Sequence, residues 1–255
     1  MTTDSGNKLK VLLDNHVQGT LLLAPWLEAL GISRDLQAFY LKSGWLAPVA
    51  RGAYARPNED VPWEGAVFAL QSQVALPVHA GALTALAKLG QTHYLRGGRE
   101  RVFLFTSARA NVPAWLLKTD WGQPMEYIRT SMLPDGIGLE MNDERTFGIT
   151  ISGAERAIME CLYLAPDDVD LLECYQIMEG LTNLRPKLVQ TLLEKCSSIK
   201  VKRLFLYMAD KAGHAWMSFV DTSRIALGSG DRKIGAGGAY IRKYGLSVPK
   251  TLTEL

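Results

Sequence analysis

The most constraining stretch of this chain lies between Lys8 and Arg56, where three helix-period segments run into a short strand-like pattern. Leu9, Leu12, Leu13 and Val17 recur at helical spacing. Gly19-Thr20 interrupts them. Leu22 to Leu30 resumes the helical pattern, with Pro25 in the first turn, where a missing amide costs nothing, and Gly31 as the stop. Ser33 caps a third helix, Arg34 to Ser43, which ends at Gly44. Trp45 to Arg56 then reads as two short strands turned at Arg51-Gly52, with Pro48 confined to an edge by its missing N–H. Three helices, a tight Gly31-Ile32-Ser33 turn before the third, and a hairpin form the element order of a winged helix-turn-helix.

Projected at helical periodicity, Leu36, Phe39, Tyr40 and Ser43 share one side of the third helix, the side expected to face a small core. Arg34, Gln37, Ala38, Leu41 and Lys42 share the other. A cation, an amide, a small residue and a second cation are groups that contact phosphates and base edges when a helix enters the major groove. The expected DNA-binding set is therefore Ser33, Arg34, Gln37, Ala38, Leu41 and Lys42, with Arg51 and Arg56 on the wing. The plainer alternative is a packing module whose charged helix face is merely solvated.

Asn58-Glu-Asp-Val-Pro62 reads as a polar linker, dividing residues 1–57, the winged helix, from residues 58–255. Trp63, Ala66, Val67, Leu70 and Val74 mark an amphipathic helix, and Val78 to Leu89 reads as another. Strands are expected at 101–106, 125–130 and 147–151. Ser152-Gly-Ala-Glu155 has the form of a capping box opening a helix to Leu164. Helical patterns continue at 171–181, 186–196 and 199–209, and the chain closes in short strands and Gly-rich turns. The fold class is mixed α+β: an N-terminal winged helix followed by a larger mixed α/β domain.

Charge is unevenly spread behind a net +2: residues 1–57 carry +2, residues 58–184 carry −8 and residues 185–255 carry +8. The basic C-terminal segment either meets an acidic partner or neutralises the acidic middle internally. Lys200, Lys202 and Arg203, with Arg232 and Lys233, are the candidate partner surface. No apolar run reaches the length of a membrane helix, and the polar start is unlike a signal peptide. Cys161, Cys174 and Cys196 read as reduced thiols of a cytoplasmic protein.

Catalytic and cofactor patterns are weak, and no cofactor is expected. Gly228-Ser-Gly230-Asp-Arg-Lys233-Ile-Gly235 lacks the third glycine of a dinucleotide fingerprint, and Ala236-Gly237 stand where a phosphate loop needs Lys and Ser/Thr. A backbone nest there could still hold a phosphate, though a turn between strands is the simpler reading. His16, His79, His93 and His214 share no metal-ligand spacing with the cysteines, and His79 is expected in a helix as a buried, satisfied side chain. Asp143-Glu144 and Asp167-Asp168 read as solvated turns. No nucleophile–base set emerges.

Tyr40-Leu-Lys-Ser-Gly-Trp-Leu46, Arg51-Gly-Ala-Tyr54, His79-Ala-Gly-Ala-Leu-Thr-Ala-Leu86 and Ser152-Gly-Ala-Glu-Arg-Ala157 stand in a characteristic order. Lys200-Val-Lys-Arg-Leu-Phe205, Leu227-Gly-Ser-Gly230 and Tyr244-Gly-Leu-Ser-Val-Pro249 continue it. In these pieces and their spacing the chain resembles the AbiEi-family antitoxins of bacterial type IV toxin–antitoxin and phage-defence systems. The resemblance implies a winged helix that represses its own operon by binding double-stranded promoter DNA, with Ser33–Ser43 as recognition helix and a wing near Arg51–Arg56. It also implies a C-terminal domain that neutralises a nucleotidyltransferase-like toxin, AbiEii, without a required stable complex, and it supplies no catalytic motif. Two other readings stay open: a regulator whose C-terminal domain senses a small ligand or nucleotide through the Gly-rich segment, and an enzyme acting on nucleic acid.

Overall fold

The computed structural model describes residues 2–91, 101–235 and 238–254, with side chains from residue 7 onward. His93 and Ala236-Gly237 therefore lie outside the described residues. In chain order the N-terminal elements are α1 (Thr2–Asn15), β1 (Leu22–Leu23), α2 (Ala24–Ala29), α3 (Arg34–Lys42), β2 (Ala47–Ala50) and β3 (Ala53–Ala55). Then come α4 (Trp63–Val74), β4 (His79–Ala80), α5 (Ala82–Lys88), β5 (Val102–Thr106), α6 (Ala114–Lys118), β6 (Met125–Arg129), β7 (Leu139–Asp143) and β8 (Gly148–Ser152). Helices α7 (Ala154–Leu164), α8 (Leu171–Gly180), α9 (Pro186–Lys195) and α10 (Ile199–Ala212) follow, and β9 (Arg232–Lys233), β10 (Gly238–Ile241) and β11 (Leu246–Pro249) close the chain between short 3-10 turns. The strands form sheets of order β1-β3-β2, β6-β5-β4-β8-β7 and β10-β11-β9. Two compact units result. One comprises Met1–His79, Gly98–Arg129 and Met141–Thr150, and the other Ala80–Gly97, Thr130–Glu140 and Ile151–Leu255.

In the first unit, Leu12 of α1, Leu27 of α2, Tyr40 of α3 and Leu22 and Tyr54 of the small sheet bury together with Ala24, Ile32 and Leu46. Each large apolar side chain removed from water this way contributes roughly 1.5–3 kcal/mol before the entropy of ordering it. Strand β1, absent from the expected pattern, pairs antiparallel with β3 at Leu22↔Tyr54 and Leu23↔Ala53. Its other edge is completed by a side chain. The Gln73 amide of α4 donates to the Leu21 carbonyl at 2.7 Å and accepts from the Leu23 N–H at 2.8 Å, acting as a one-residue strand. Gly65 brings α4 against the α1–β1 loop, where an added Cβ would lie 1.9 Å from the Gly19 carbonyl oxygen. His16, at the start of that loop, lies 3.0 Å from the carboxylate of Glu59, in the segment expected to be a linker.

The expected division at 57/58 thus does not match a boundary between compact units. Residues 58–79 complete the winged helix's own sheet and loop, so the first unit runs on through α4.

In the second unit α7 is the central helix, packed by α5, α8, α9 and α10. Two of its acids are buried yet fully partnered. Arg156 donates from Nε to Glu160 at 2.8 Å and from Nη1 to the carbonyls of Pro134 and Ile137 at 2.8 Å each. The other Glu160 oxygen accepts from Ser152 Oγ at 2.7 Å and from the Ala82 N–H at 3.0 Å. Ala82 sits at φ +47°, a conformation that costs a residue with a Cβ and that the carboxylate holds in place. Glu155 accepts three bonds from Arg185, at 2.8 to 2.9 Å. Burial pushes the Glu155 carboxyl up, but those bonds outweigh it and leave it below the ordinary range. The stabilisation is therefore present above the ordinary carboxylate pKa and is lost as pH falls through the lowered one.

Two expectations are corrected here. Ser152 and Glu155 form no capping box: Gly153 is the N-cap of α7, and both side chains serve long-range partners instead. His79 lies on β4, not in a helix, stacked on Phe105 with ring centroids 6.0 Å apart. All three cysteines are free and buried. Among the described residues no helix is long and apolar enough to cross a membrane, and no cluster of three or more His, Cys, Asp or Glu could hold a metal.

Candidate nucleic-acid interface

Helix α3 begins at Ser33, whose hydroxyl accepts from the Leu36 N–H at 3.3 Å, with Asp35 in the first turn and Lys42 in the last, both favourable to the helix dipole. The helix is turned relative to the expected projection. Gln37, expected on the DNA-facing side, is 1% exposed. Its amide donates to the carbonyls of Ile32, just before α3, at 2.9 Å and of Ala24, at the start of α2, at 3.2 Å. Phe39, expected in the core, is 56% exposed, while Tyr40 is buried as anticipated. Leu41, expected outward, is half-buried and packs on the core. This orientation gives the two carbonyls a side-chain donor while leaving Gln37 Oε1 buried without a hydrogen-bond partner among the described residues.

The solvent face of α3 therefore carries Arg34, Asp35, Ala38, Phe39, Lys42 and Ser43. The Arg34 guanidinium grips the Glu28 carboxylate, a hydrogen-bonded pair that raises the Arg34 pKa and offsets its charge. On the hairpin, Arg51 is exposed at the β2–β3 turn, where Gly52 takes φ +76°. Arg56 is held: Nη1 donates to the Trp45 carbonyl at 2.6 Å and the guanidinium lies 5.5 Å from the centroid of that indole. Lys42 and Arg51 are thus the cations this surface offers most freely, beside two apolar groups, Ala38 and Phe39.

The expected cationic partner surface is corrected in the same way. Lys202 and Arg203 are each 4% exposed. Lys202 donates to the Ala226 carbonyl at 3.1 Å. Arg203 gathers the carbonyls of Leu227, Gly228, Gly230 and Gly245 at 2.7 to 3.2 Å. Lys200, in the first turn of α10, is half-buried and reaches the end of α7, donating to the Tyr163 and Ala165 carbonyls at 2.7 Å each, and burial pushes its pKa down. These cations are spent on backbone carbonyls. Arg232 and Lys233 remain exposed on β9. The Gly-rich loop turns its carbonyls inward around Arg203, and the Arg232 and Ile234 N–H groups are taken by Gly245 and Ser247. That polarity is the reverse of a phosphate cradle, which needs converging N–H groups.

A winged helix with an exposed third helix, followed by a larger mixed α/β body, defines the fold class. The chain belongs to the AbiEi antitoxin family: residues 5–97 match the model described as transcriptional regulator, AbiEi antitoxin N-terminal domain, and residues 99–249 match that described as transcriptional regulator, AbiEi antitoxin, type IV TA system. Among solved structures, the RV2827C protein from Mycobacterium tuberculosis shares the fold, with a TM-score of 0.59 at 12% identity over 97% of this chain and 92% of that one. No curated protein matches the chain.

Proposed function

We propose that this antitoxin represses its own operon by placing the solvent face of α3 in the major groove of promoter DNA, and separately neutralises a nucleotidyltransferase-like toxin in the cytoplasm. The observation that carries the DNA half is the exposure of Phe39, a large ring that leaves the core while a polar glutamine enters it. Phe39 and Ala38 suit contact with thymine methyl groups, and Lys42 and Arg51 suit phosphates. Arg34 is a weaker phosphate ligand because Glu28 competes for it. Gln37 is a structural residue. Of the basic C-terminal residues, Arg232 and Lys233 are the pair whose charge can meet an acidic toxin surface or the toxin's nucleotide substrate.

Co-expression with the adjacent gene tests both halves in one strain. The full chain should rescue growth and silence a reporter behind its own promoter. Phe39→Ala with Lys42→Ala should lose silencing and keep rescue, whereas Arg232→Glu with Lys233→Glu should lose rescue and keep silencing. Rescue failing in the wild-type chain would refute the antitoxin half, and silencing kept by the α3 variant would refute the DNA half.

A further inference from the structure

We propose that the first unit holds a binding site for an apolar organic anion of single charge, and that its occupant releases DNA. The regulatory half rests on the DNA-binding reading above; the binding half does not.

A cavity of about 520 Å³ opens beside the winged helix, within the range of small-molecule sites. Leu23 of β1, Leu70 and Val74 of α4 and Trp115 of α6 form apolar walls, and Arg34 and Arg51 bring the cations. Among the described residues, no carboxylate, amide or hydroxyl side chain lines it. A sugar or polyol would therefore lose its water contacts without replacement, while a flat apolar body would lie against the half-buried Trp115 indole. The charge is also specific. Arg34 is already engaged by Glu28, and Arg51 has no side-chain partner among the described residues. One uncompensated cation suits one carboxylate or sulfonate; a second negative charge would go unmatched.

Position gives the cavity its consequence. Arg34 opens α3 and Arg51 stands at the tip of the wing, so an anion on Arg51 removes a cation that a DNA phosphate would use. Two ligands competing for one charge weaken each other by the same factor.

The probe is 1-anilinonaphthalene-8-sulfonate on the full chain, read by its fluorescence. It should bind saturably, and Val74→Glu or Arg51→Gln should each weaken it by about tenfold or more, roughly the worth of one charge-assisted hydrogen bond. Val74 is 40% exposed, so the glutamate fits without unfolding the chain; the neutral Arg51→Gln gives an independent check. The uncharged N-phenyl-1-naphthylamine should bind weakly, and inorganic phosphate should not displace the sulfonate. In an anisotropy titration of promoter DNA, the sulfonate should weaken wild-type binding by about fivefold or more and leave Val74→Glu unaffected. Sulfonate binding that survives both variants, or a neutral dye bound as tightly, would overturn the site. Sulfonate bound with DNA affinity unchanged would overturn the regulatory half. DNA failing to bind without any dye would refute the repressor reading, with the site judged by the dye alone.

Discussion

Gly65→Ala is expected to unfold the first unit's α4 junction and lower the melting temperature by about 6–12 °C, the shift that a loss of roughly 3 kcal/mol produces in a chain of this size. The added Cβ would lie 1.9 Å from the Gly19 carbonyl oxygen and 3.1 Å from Val61 Cγ1. The nearest of these atoms is backbone, so no flexible side chain can yield to make room. Moving α4 away would also pull Gln73 off the edge of β1, so strain at one glycine reaches the winged helix's sheet. Gly44 is the control: it takes φ +74° with nothing within 4 Å of its added Cβ, so its alanine variant should cost only about 1–2 kcal/mol in backbone strain. Thermal denaturation compares the two, and a Gly65→Ala chain melting like the wild type would mean that α4 is misplaced.

The second large effect lies in α7. Arg156→Met should destabilise the chain by about 3–5 kcal/mol, because Glu160, 1% exposed, loses the guanidinium that pairs with it in the buried interior. Removing both charges from a buried pair often restores stability. Here Arg156→Met with Glu160→Leu should not, since the carboxylate also receives the Ser152 hydroxyl and the Ala82 N–H. Those donors would be left buried without an acceptor, and Ala82 would lose the bond that holds it at positive φ. Urea unfolding of the two single variants and the double closes the cycle. Full recovery in the double variant would reduce the Glu160 network to a simple ion pair.

Local patterns were the legible part. Helices α1 to α4, the hairpin at Arg51-Gly52, strands β5 and β6 and the run from α7 to α10 follow from apolar spacing, capping residues and glycine stops, all short-range properties. What the spacing could not convey is where a polar side chain finds a distant partner. Gln37 sits on the inner side of α3, with its amide bonded to the carbonyls of Ala24 and Ile32. Gln73 completes a strand 50 residues away, so residues 58–62 join two parts of one compact unit. Ser152 and Glu155 mimic a capping box, yet their partners lie on Glu160 and Arg185. Lys202 and Arg203 read as surface cations because nothing near them in sequence announces the carbonyls of residues 226–230 and 245.

The central claim is that α3 meets DNA through Ala38, Phe39 and Lys42, with Gln37 inside. Fluorescence anisotropy of promoter DNA, titrated across a salt series, tests it directly. Phe39→Ala should keep the melting temperature within the small range of a surface change, lose about 1–3 kcal/mol of binding to the promoter, and lose less on a scrambled duplex. Lys42→Ala should weaken both duplexes together and reduce the steepness of the salt dependence by about 0.9 for each phosphate it no longer neutralises. A Phe39→Ala chain that melts several degrees lower and still discriminates the promoter would contradict the claim, placing the ring in the core and the reading face elsewhere on the helix.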